Sequence, residues 1–91
     1  MKTYIVIYSL TQAENLYTNL FVYLKSSGYW ARPFQGVWLV KAGLNSQQIR
    51  DGIRARVNPV DKIFVIAVPD NDWATFAISK EVTDWMKNNL P

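Results

Sequence analysis

The sequence predicts one α+β domain built around a four-stranded antiparallel sheet. Four short stretches are rich in β-branched and aromatic residues, which favour strands. Two helix-start patterns, each followed by apolar residues at helical spacing, separate the first stretch from the second and the third from the fourth. A two-residue turn signal joins the second stretch to the third. The predicted order is therefore β-α-β-β-α-β, and the 91 residues (1-91) fit a single domain.

The first predicted strand covers Thr3–Tyr8, where every residue is β-branched or aromatic. A strand without polar alternation is typical of the centre of a sheet, because both of its faces are buried. Thr11 and Glu14 have the spacing of a capping box, which predicts that the first helix begins at Thr11. Gly28 is a natural stop for this helix. Its apolar stripe comprises Ala13, Leu16, Tyr17, Leu20, Phe21 and Leu24.

The second and third strands are predicted over Tyr29–Phe34 and Val37–Ala42, and they form a hairpin. Gln35 and Gly36 between them have the composition of a tight turn. Pro33 has no backbone N–H and cannot donate to a β-ladder, so the second strand is expected at an edge of the sheet.

A second capping box predicts the second helix. Asn45 and Gln48 have the required spacing, and Pro59 lies just beyond the predicted helix end. The apolar stripe comprises Ile49, Ile53 and Val57. Gly52 weakens this helix by about 1 kcal/mol relative to Ala. Lys62–Val68, nearly all apolar, is the fourth predicted strand.

The C-terminal segment is predicted as a short addition to the sheet domain. Residues 69–72 read Pro-Asp-Asn-Asp, which is typical of a turn. Trp73–Ile78 is compatible with a short extra strand, and Ser79 is a suitable cap for a last helix. The apolar residues that share one face of that helix are Val82, Trp85 and Met86.

The order β-α-β-β-α-β is the split βαβ pattern of the ferredoxin-like fold. In that fold the strand order is 4-1-3-2, which agrees with a central first strand and an edge position for the second. Two helices cover one sheet face. The other face is also apolar here, because both alternating sets of side chains in the first strand are apolar. An uncovered apolar face is typical of an interaction site, and the C-terminal helix or a second copy of the chain could cover it.

Aromatic residues make up 14% of the chain, which is a high share. They are expected in the core or in a contact between two copies, because aromatic side chains dominate both settings. Base stacking on an open sheet face is the alternative, although the basic–glycine–aromatic strand motif of RNA-binding sheets is absent. The predicted dimer contact comprises Tyr4, Tyr8, Trp30, Trp38 and Trp73, with residues 73–78 able to add to a partner's sheet edge.

Composition excludes several classes of chemistry. The chain has no Cys and no His, which removes disulfides, thiol nucleophiles, imidazole metal sites and Ser-His-Asp catalysis. With 49% hydrophobic and 19% charged residues, it has the balance of an ordinary globular domain. No apolar run approaches the length of a membrane span and no secretory leader precedes the first strand, so a cytoplasmic protein is expected.

The net charge of +3 is concentrated in the middle of the chain. Residues 32–62 hold six basic side chains against two acids. Arg50 and Arg54 are one turn apart on the second helix, Arg56 lies to one side, and Lys41 precedes the helix. These four residues are the predicted binding site for phosphates, since guanidinium groups bind them bidentately. An ordinary solvated surface is the alternative.

The acidic residues do not predict a metal site. Asp70, Asn71 and Asp72 offer three oxygens, but a turn after a strand favours the same residues and an EF-hand needs a longer loop. Antiparallel pairing of the first and fourth strands places Asp70 at the opposite end of the sheet from Ser9. Asp61 is the acid expected nearest to Ser9. No metal and no cofactor are therefore expected.

Several strings of the chain resemble a known group of small proteins. They are Tyr-Ile-Val-Ile-Tyr followed by Ser9-Leu10, Tyr29-Trp30, residues 37–41 (Val-Trp-Leu-Val-Lys), Ile49-Arg50-Asp51, residues 61–65 (Asp-Lys-Ile-Phe-Val) and Trp85-Met86-Lys87. Over most of its length the chain resembles the ferredoxin-like proteins related to the CRISPR-associated spacer-acquisition endonuclease subunit. That group includes virulence-associated protein D ribonucleases and SinR-like proteins.

This resemblance implies a homodimer built on sheet faces or C-terminal segments. It also implies a link to nucleic acid and to prokaryotic or phage defence biology. The nucleases of the group carry an aspartate at the end of the first strand, where a pair across the dimer is thought to hold a metal. The matching position here is Ser9, which argues against hydrolytic activity.

The leading hypothesis is a non-catalytic homodimeric binding protein for an anionic ligand, either nucleic acid or a nucleotide, with no membrane partner. The first alternative is a metal-dependent ribonuclease of the CRISPR-associated or virulence-associated protein D type. The second is a structural protein–protein interaction module. An aspartate at position 9 would have favoured the enzyme, and a denser basic stripe would have favoured nucleic acid.

Overall fold

A computed structural model describes all residues from Met1 to Pro91 and has four strands and three α-helices. In chain order the elements are β1 (Lys2–Ser9), a 3-10 turn (Glu14–Leu16), α1 (Thr18–Lys25), β2 (Trp30–Phe34), β3 (Val37–Ala42), α2 (Ser46–Arg54), β4 (Lys62–Val68) and α3 (Lys80–Asn89). The strands form one antiparallel sheet in the order β2-β3-β1-β4. This small α+β architecture is compatible with a ferredoxin-like fold.

The predicted positions of the strands in the sheet are confirmed. β1 lies between β3 and β4, and β2 and β4 are the two edges. The β2–β3 register shifts between Ala31 and Phe34, so Pro33 lies at an irregularity on an edge strand, where its missing N–H costs no ladder hydrogen bond. Gln35 and Gly36 form the two-residue hairpin turn, in which Gly36 takes a φ of 85°.

The larger core lies between the sheet and the pair of helices α1 and α2. Tyr4, Val6 and Tyr8 of β1 face these helices, and strand alternation turns Ile5 and Ile7 to the other side. The buried residues of this cluster are Tyr4, Val6, Tyr8, Tyr17, Leu20, Leu24, Trp38, Val40, Ala42, Ile49 and Ile53.

The second sheet face is covered in part by α3, which is one of the two coverings that the sequence allowed. Ala31 and Leu39 of the sheet form a smaller core with three residues of the C-terminal helix and its end, Val82, Met86 and Leu90. Ser79 caps this helix, and its Oγ accepts a hydrogen bond from the Val82 N–H at 3.3 Å. Helices α1 and α2 therefore lie on one face of the sheet, as predicted, and the C-terminal helix covers part of the other face.

The first helix begins seven residues later than predicted. Thr11 donates its N–H and its hydroxyl to Asp61, and Glu14 pairs with Arg32, so neither residue caps a helix. Tertiary contacts use both groups of the predicted capping box, and α1 starts at Thr18. Leu16, which was expected in the apolar stripe, is 65% exposed.

The segment Trp73–Ile78 is not a strand, which corrects a second prediction. Ala77 has a φ of 58°, a left-handed conformation that strands exclude. Trp73 donates its Nε1–H to the Leu90 carbonyl at 2.7 Å, and Trp73 and Ile78 pack against the α3 cluster. The segment is therefore tied to the subunit's own C-terminal helix and does not have the form needed for strand addition.

The second helix begins as predicted. The Asn45 side chain accepts from the Gln48 N–H at 2.8 Å, and the Gln48 side chain accepts from the Asn45 N–H at 2.9 Å. Gly52 has a packing role that its helix propensity does not indicate. A Cβ added there would lie 2.1 Å from the hydroxyl oxygen of Tyr23, because the tyrosine ring of α1 lies directly against α2.

We expect Gly52→Ala to lower the free energy of unfolding, although Ala is the better helix former. Overpacking costs about 1–3 kcal/mol, which exceeds the helix-propensity gain of about 1 kcal/mol. Urea denaturation of the single and double variants measures this. In a Tyr23→Ala background the same substitution should stabilise the protein, and a destabilisation of equal size in both backgrounds would contradict the packing explanation.

Candidate functional site

A groove between the end of α2 and the start of β4 brings two of the predicted phosphate-binding residues together. It has a volume of about 380 Å³. The lining residues are Arg50, Arg54, Val57, Asn58, Pro59, Asp61 and Ile63. The groove thus combines two guanidinium groups, three apolar side chains, one amide and one carboxylate.

The two arginines retain most of their hydrogen-bonding capacity. Arg50 donates from Nε and Nη2 to one oxygen of its neighbour Asp51, at 3.0 and 2.8 Å. This ion pair is half exposed, and exposed pairs of this kind contribute only about 0.2–1 kcal/mol. Arg54 makes no hydrogen bond and no salt bridge within the chain. Since each guanidinium has five N–H donors, the pair can bind an anion from several directions.

The other two predicted ligand residues do not join this groove. Arg56 donates to the Gly52 carbonyl at 2.7 Å, and its guanidinium lies 4.4 Å from the centre of the Tyr23 ring, on the side of α2 that faces α1. Lys41 lies on the opposite sheet face, where its Nζ donates to the Asn89 carbonyl at 3.4 Å. Strand alternation explains this placement, because Lys41 points away from α2. Of the four predicted residues, the structure brings only Arg50 and Arg54 together in this groove.

Asp61 forms a dense set of hydrogen bonds beside the arginines. Its Oδ1 accepts from the N–H and hydroxyl of Thr11 at 2.8 and 2.7 Å. Its Oδ2 accepts from the Tyr17 hydroxyl at 2.8 Å and from the Asn58 N–H at 2.9 Å. Both oxygens are thus occupied, and the carboxylate joins the loop after β1 to the loop after α2.

These bonds determine the ionisation of Asp61. Desolvation alone would raise the pKa of the carboxyl, but the hydrogen bonds from Thr11, Asn58 and Tyr17 together outweigh it and lower the pKa to about 2. The carboxylate is therefore ionised throughout the physiological range. It adds one negative charge to the lining of the groove that Arg50 and Arg54 also line.

The acidic residues of the chain are dispersed. Ser9 is paired with Lys62 in the sheet register, whereas Asp70 and Asp72 follow the other end of β4. No group of three His, Cys, Asp or Glu residues lies close enough to hold a metal ion. Asp61 directly precedes Lys62, the register partner of Ser9, and its four hydrogen bonds leave no oxygen free for a further strong contact.

A second polar network, which the sequence did not indicate, lies at the β2 edge. Arg32 pairs with Glu14, and its guanidinium lies 5.2 Å from the ring centres of both Phe21 and Trp38. The hydrogen bond from Arg32 lowers the pKa of Glu14, and burial raises the pKa of the Tyr8 hydroxyl. The network fixes the chain before α1 against the sheet, and its contacts are all within the subunit.

Three of the five residues predicted at a dimer contact are buried within the subunit, and the other two are partly buried. Tyr4, Tyr8 and Trp38 are at most 8% exposed, because they face α1 and α2. Trp30 packs partly against the same core, and Trp73 packs partly against α3. None of the first three side chains is available to a partner.

The exposed apolar surface lies on the other sheet face. Phe34 is paired with Val37, Val37 with Ile7, and Ile7 with Phe64, so these four side chains cross all four strands on one face. We call them the apolar row. Phe34 is 59% exposed, Ile7 41% and Phe64 57%. Ile66 extends the row at 48% exposure, and α3 covers none of these positions fully.

Comparison with protein-family models, with curated proteins and with solved structures found no match for the chain. The resemblance drawn from its sequence strings therefore stays a prediction. None of the three helices combines the length and the hydropathy needed to cross a bilayer.

The hydrogen bonds of Asp61 predict an acid-sensitive contribution to stability. The pKa is about 2 in the folded chain and about 3.9 in an unfolded one. The contribution is therefore fully present above about pH 5 and is lost as the pH falls towards 2. We expect the urea denaturation midpoint of the wild type to fall as the pH is lowered over this range. Asp61→Asn should lower the midpoint at neutral pH, and the midpoint of this variant should fall less in acid.

Asp72→Asn is the matched control, because Asp72 makes no hydrogen bond within the chain. This variant should keep the wild-type profile. An unchanged acid decline in Asp61→Asn would show that the four hydrogen bonds of Asp61 do not stabilise the folded state.

Proposed function

We propose that the chain is a non-catalytic binding protein for an anionic ligand, a nucleic acid or a nucleotide, and that it acts as a homodimer. The observation that carries the proposal is the groove in which Arg54, free of any partner, lies beside Arg50. An arginine without a carboxylate partner, one helical turn from a second arginine, is suited to the geometry of a phosphate. The net charge of +3 favours encounter with such ligands.

The arrangement of acids supports binding over hydrolysis. A metal-dependent ribonuclease, the first alternative, needs carboxylates with free oxygens around a common point. Here Ser9 stands where the resembled nucleases carry their aspartate, and Asp61 already accepts four hydrogen bonds. Two-fold symmetry would bring Ser9 only to another Ser9. This alternative therefore has no supporting site in the described geometry.

A second copy of the chain is the proposed occupant of the apolar row. The row contains no charged side chain, so a two-fold axis through its centre brings no like charges together within it. An axis that lies in the plane of the interface and is perpendicular to the row would bring Phe34 of each subunit opposite Phe64 of the other. A stable interface needs roughly 800 Å² from each partner. Ile66 and Phe76, which is 92% exposed in the segment that crosses this side of the sheet, extend the apolar area.

The same proposal includes the fold family. We propose a ferredoxin-like domain with α3 as a C-terminal addition. On the basis of the sequence resemblance, we also propose a role for this dimer in prokaryotic or phage defence biology. A structural interaction module is the second candidate function. It is favoured by the same apolar row, with a different protein as its occupant.

The arginine assignment predicts a loss of binding and a weaker salt dependence. We expect Arg54→Gln to weaken binding of a short, 5′-phosphorylated, fluorescently labelled single-stranded RNA. Loss of one phosphate contact should lower the salt slope by about 0.7 units. Fluorescence anisotropy at several salt concentrations measures both quantities.

Arg56→Gln is the matched control, because Arg56 lies just after the same helix but faces α1. It should bind as the wild type does. Wild-type affinity in the Arg50→Ala, Arg54→Ala double variant would reject the groove as the binding site.

The dimer proposal predicts that a charge in the apolar row separates the subunits. Sedimentation velocity should give a dimer for the wild type at tens of micromolar and a 10.5 kDa monomer for Phe64→Lys. Burial of two lysines against an apolar row is strongly unfavourable.

Val22→Lys is the control, because Val22 is 64% exposed but lies on α1, on the opposite side of the sheet. It should remain a dimer. A wild type that sediments as a monomer at every concentration would favour the interaction-module function instead.

A further inference from the structure

The groove of Arg50 and Arg54 has an apolar half that a bare phosphate would leave uncovered. Val57, Pro59 and Ile63 line it beside the two arginines. We propose that the groove binds a nucleoside monophosphate unit, with the phosphate on the arginines and the base on these apolar side chains. This inference rests on the proposed function and names the ligand class of the same site.

The size of the groove and the number of free donors fit such a ligand. Its volume of about 380 Å³ lies within the range of small-molecule sites, roughly 300–1,000 Å³. Arg54 offers all five of its N–H donors and Arg50 the three that do not contact Asp51. A phosphate with several acceptor oxygens can therefore replace the weak contact between Arg50 and Asp51 and bridge both guanidinium groups.

The apolar half fits a base because three apolar side chains and one free acceptor line the same groove. Burial of apolar surface stabilises a bound ring by about 25 cal/mol for each Å² removed from water. Asn58 lines the same groove and donates its side-chain N–H to the Tyr17 hydroxyl at 3.1 Å, whereas its side-chain oxygen accepts no hydrogen bond within the chain. That oxygen suits the exocyclic amino group of a base such as adenine.

The charge of Asp61 limits how much phosphate the groove accepts. The carboxylate is ionised and lies at the same groove as the arginines, so positive and negative charges line different parts of it. A second or third phosphate extended along the groove would approach this carboxylate and be repelled. The arrangement therefore favours one phosphate and one base over a polyphosphate.

A ligand series on the wild-type chain tests the proposal without altering the apolar half. Isothermal titration calorimetry would compare AMP, ribose 5-phosphate, inorganic phosphate and ATP at one ionic strength. We expect AMP to bind at least tenfold more tightly than ribose 5-phosphate, about 1.4 kcal/mol, and ATP to bind no more tightly than AMP. Arg54→Gln should weaken AMP and ribose 5-phosphate by the same factor, and Arg56→Gln should change neither.

These measurements distinguish failure of the nucleoside monophosphate site from failure of the proposed function. Equal affinity for AMP and ribose 5-phosphate, lost in Arg54→Gln, would overturn the base site and leave phosphate binding in place. Tight AMP binding that is unchanged in Arg54→Gln would also overturn the inference, because the ligand would lie elsewhere. Absence of binding to all four compounds and to the labelled RNA would overturn the proposed function itself.

Discussion

The carboxylate of Asp61 holds together two segments that are distant in the sequence. Through it Thr11 and Tyr17, in the loop before α1, are joined to Asn58, in the loop after α2. The loop before α1 has only a single 3-10 turn of regular structure, so its path depends on such contacts. The same bonds fix the end of the groove next to the arginines. Because Asp61 remains close to solvent, its charge does not carry the large desolvation cost of a fully buried carboxylate.

The sequence contains two capping-box patterns with the same spacing, but only one of them starts a helix. Local spacing alone therefore does not determine where a helix begins. Asn45 and Gln48 bind each other's backbone and start α2 as expected. Thr11 and Glu14 have the same spacing, but Asp61 and Arg32 bind them instead. A capping box contributes about 1 kcal/mol, so charged partners that are distant in sequence can override it. The strands were predicted closely because the signals for them are local. Runs of apolar residues mark the strands, and the missing backbone N–H of Pro33 marks an edge.

Two of the four residues predicted for the candidate site lie together in the groove, for a related reason. Helical spacing alone places Arg50 and Arg54 on one side of α2, and no knowledge of other elements is needed. Lys41 is on a strand, where its side depends on which set of alternating residues faces the helices. In β1 both sets are apolar, so the sequence could not distinguish the face of Tyr8 from the face of Ile7. In the structure, the set with the two tyrosines packs in the larger core, whereas Ile5 packs against the α3 cluster and Ile7 joins the exposed row.

The edge position of β4 has a consequence for the behaviour of the protein at high concentration. Residues 63–68 read Ile-Phe-Val-Ile-Ala-Val, an uncharged run without Pro or Gly, which is the composition of segments that stack into cross-β fibrils. At the opposite edge, Pro33 and the shifted register interrupt pairing with another chain. β4 has no such interruption within the strand, and its gatekeepers are confined to the flanks, with Asp61 and Lys62 at its start and Pro69 and Asp70 just after its end. Aggregation of this protein should therefore begin by pairing of β4 strands from different molecules.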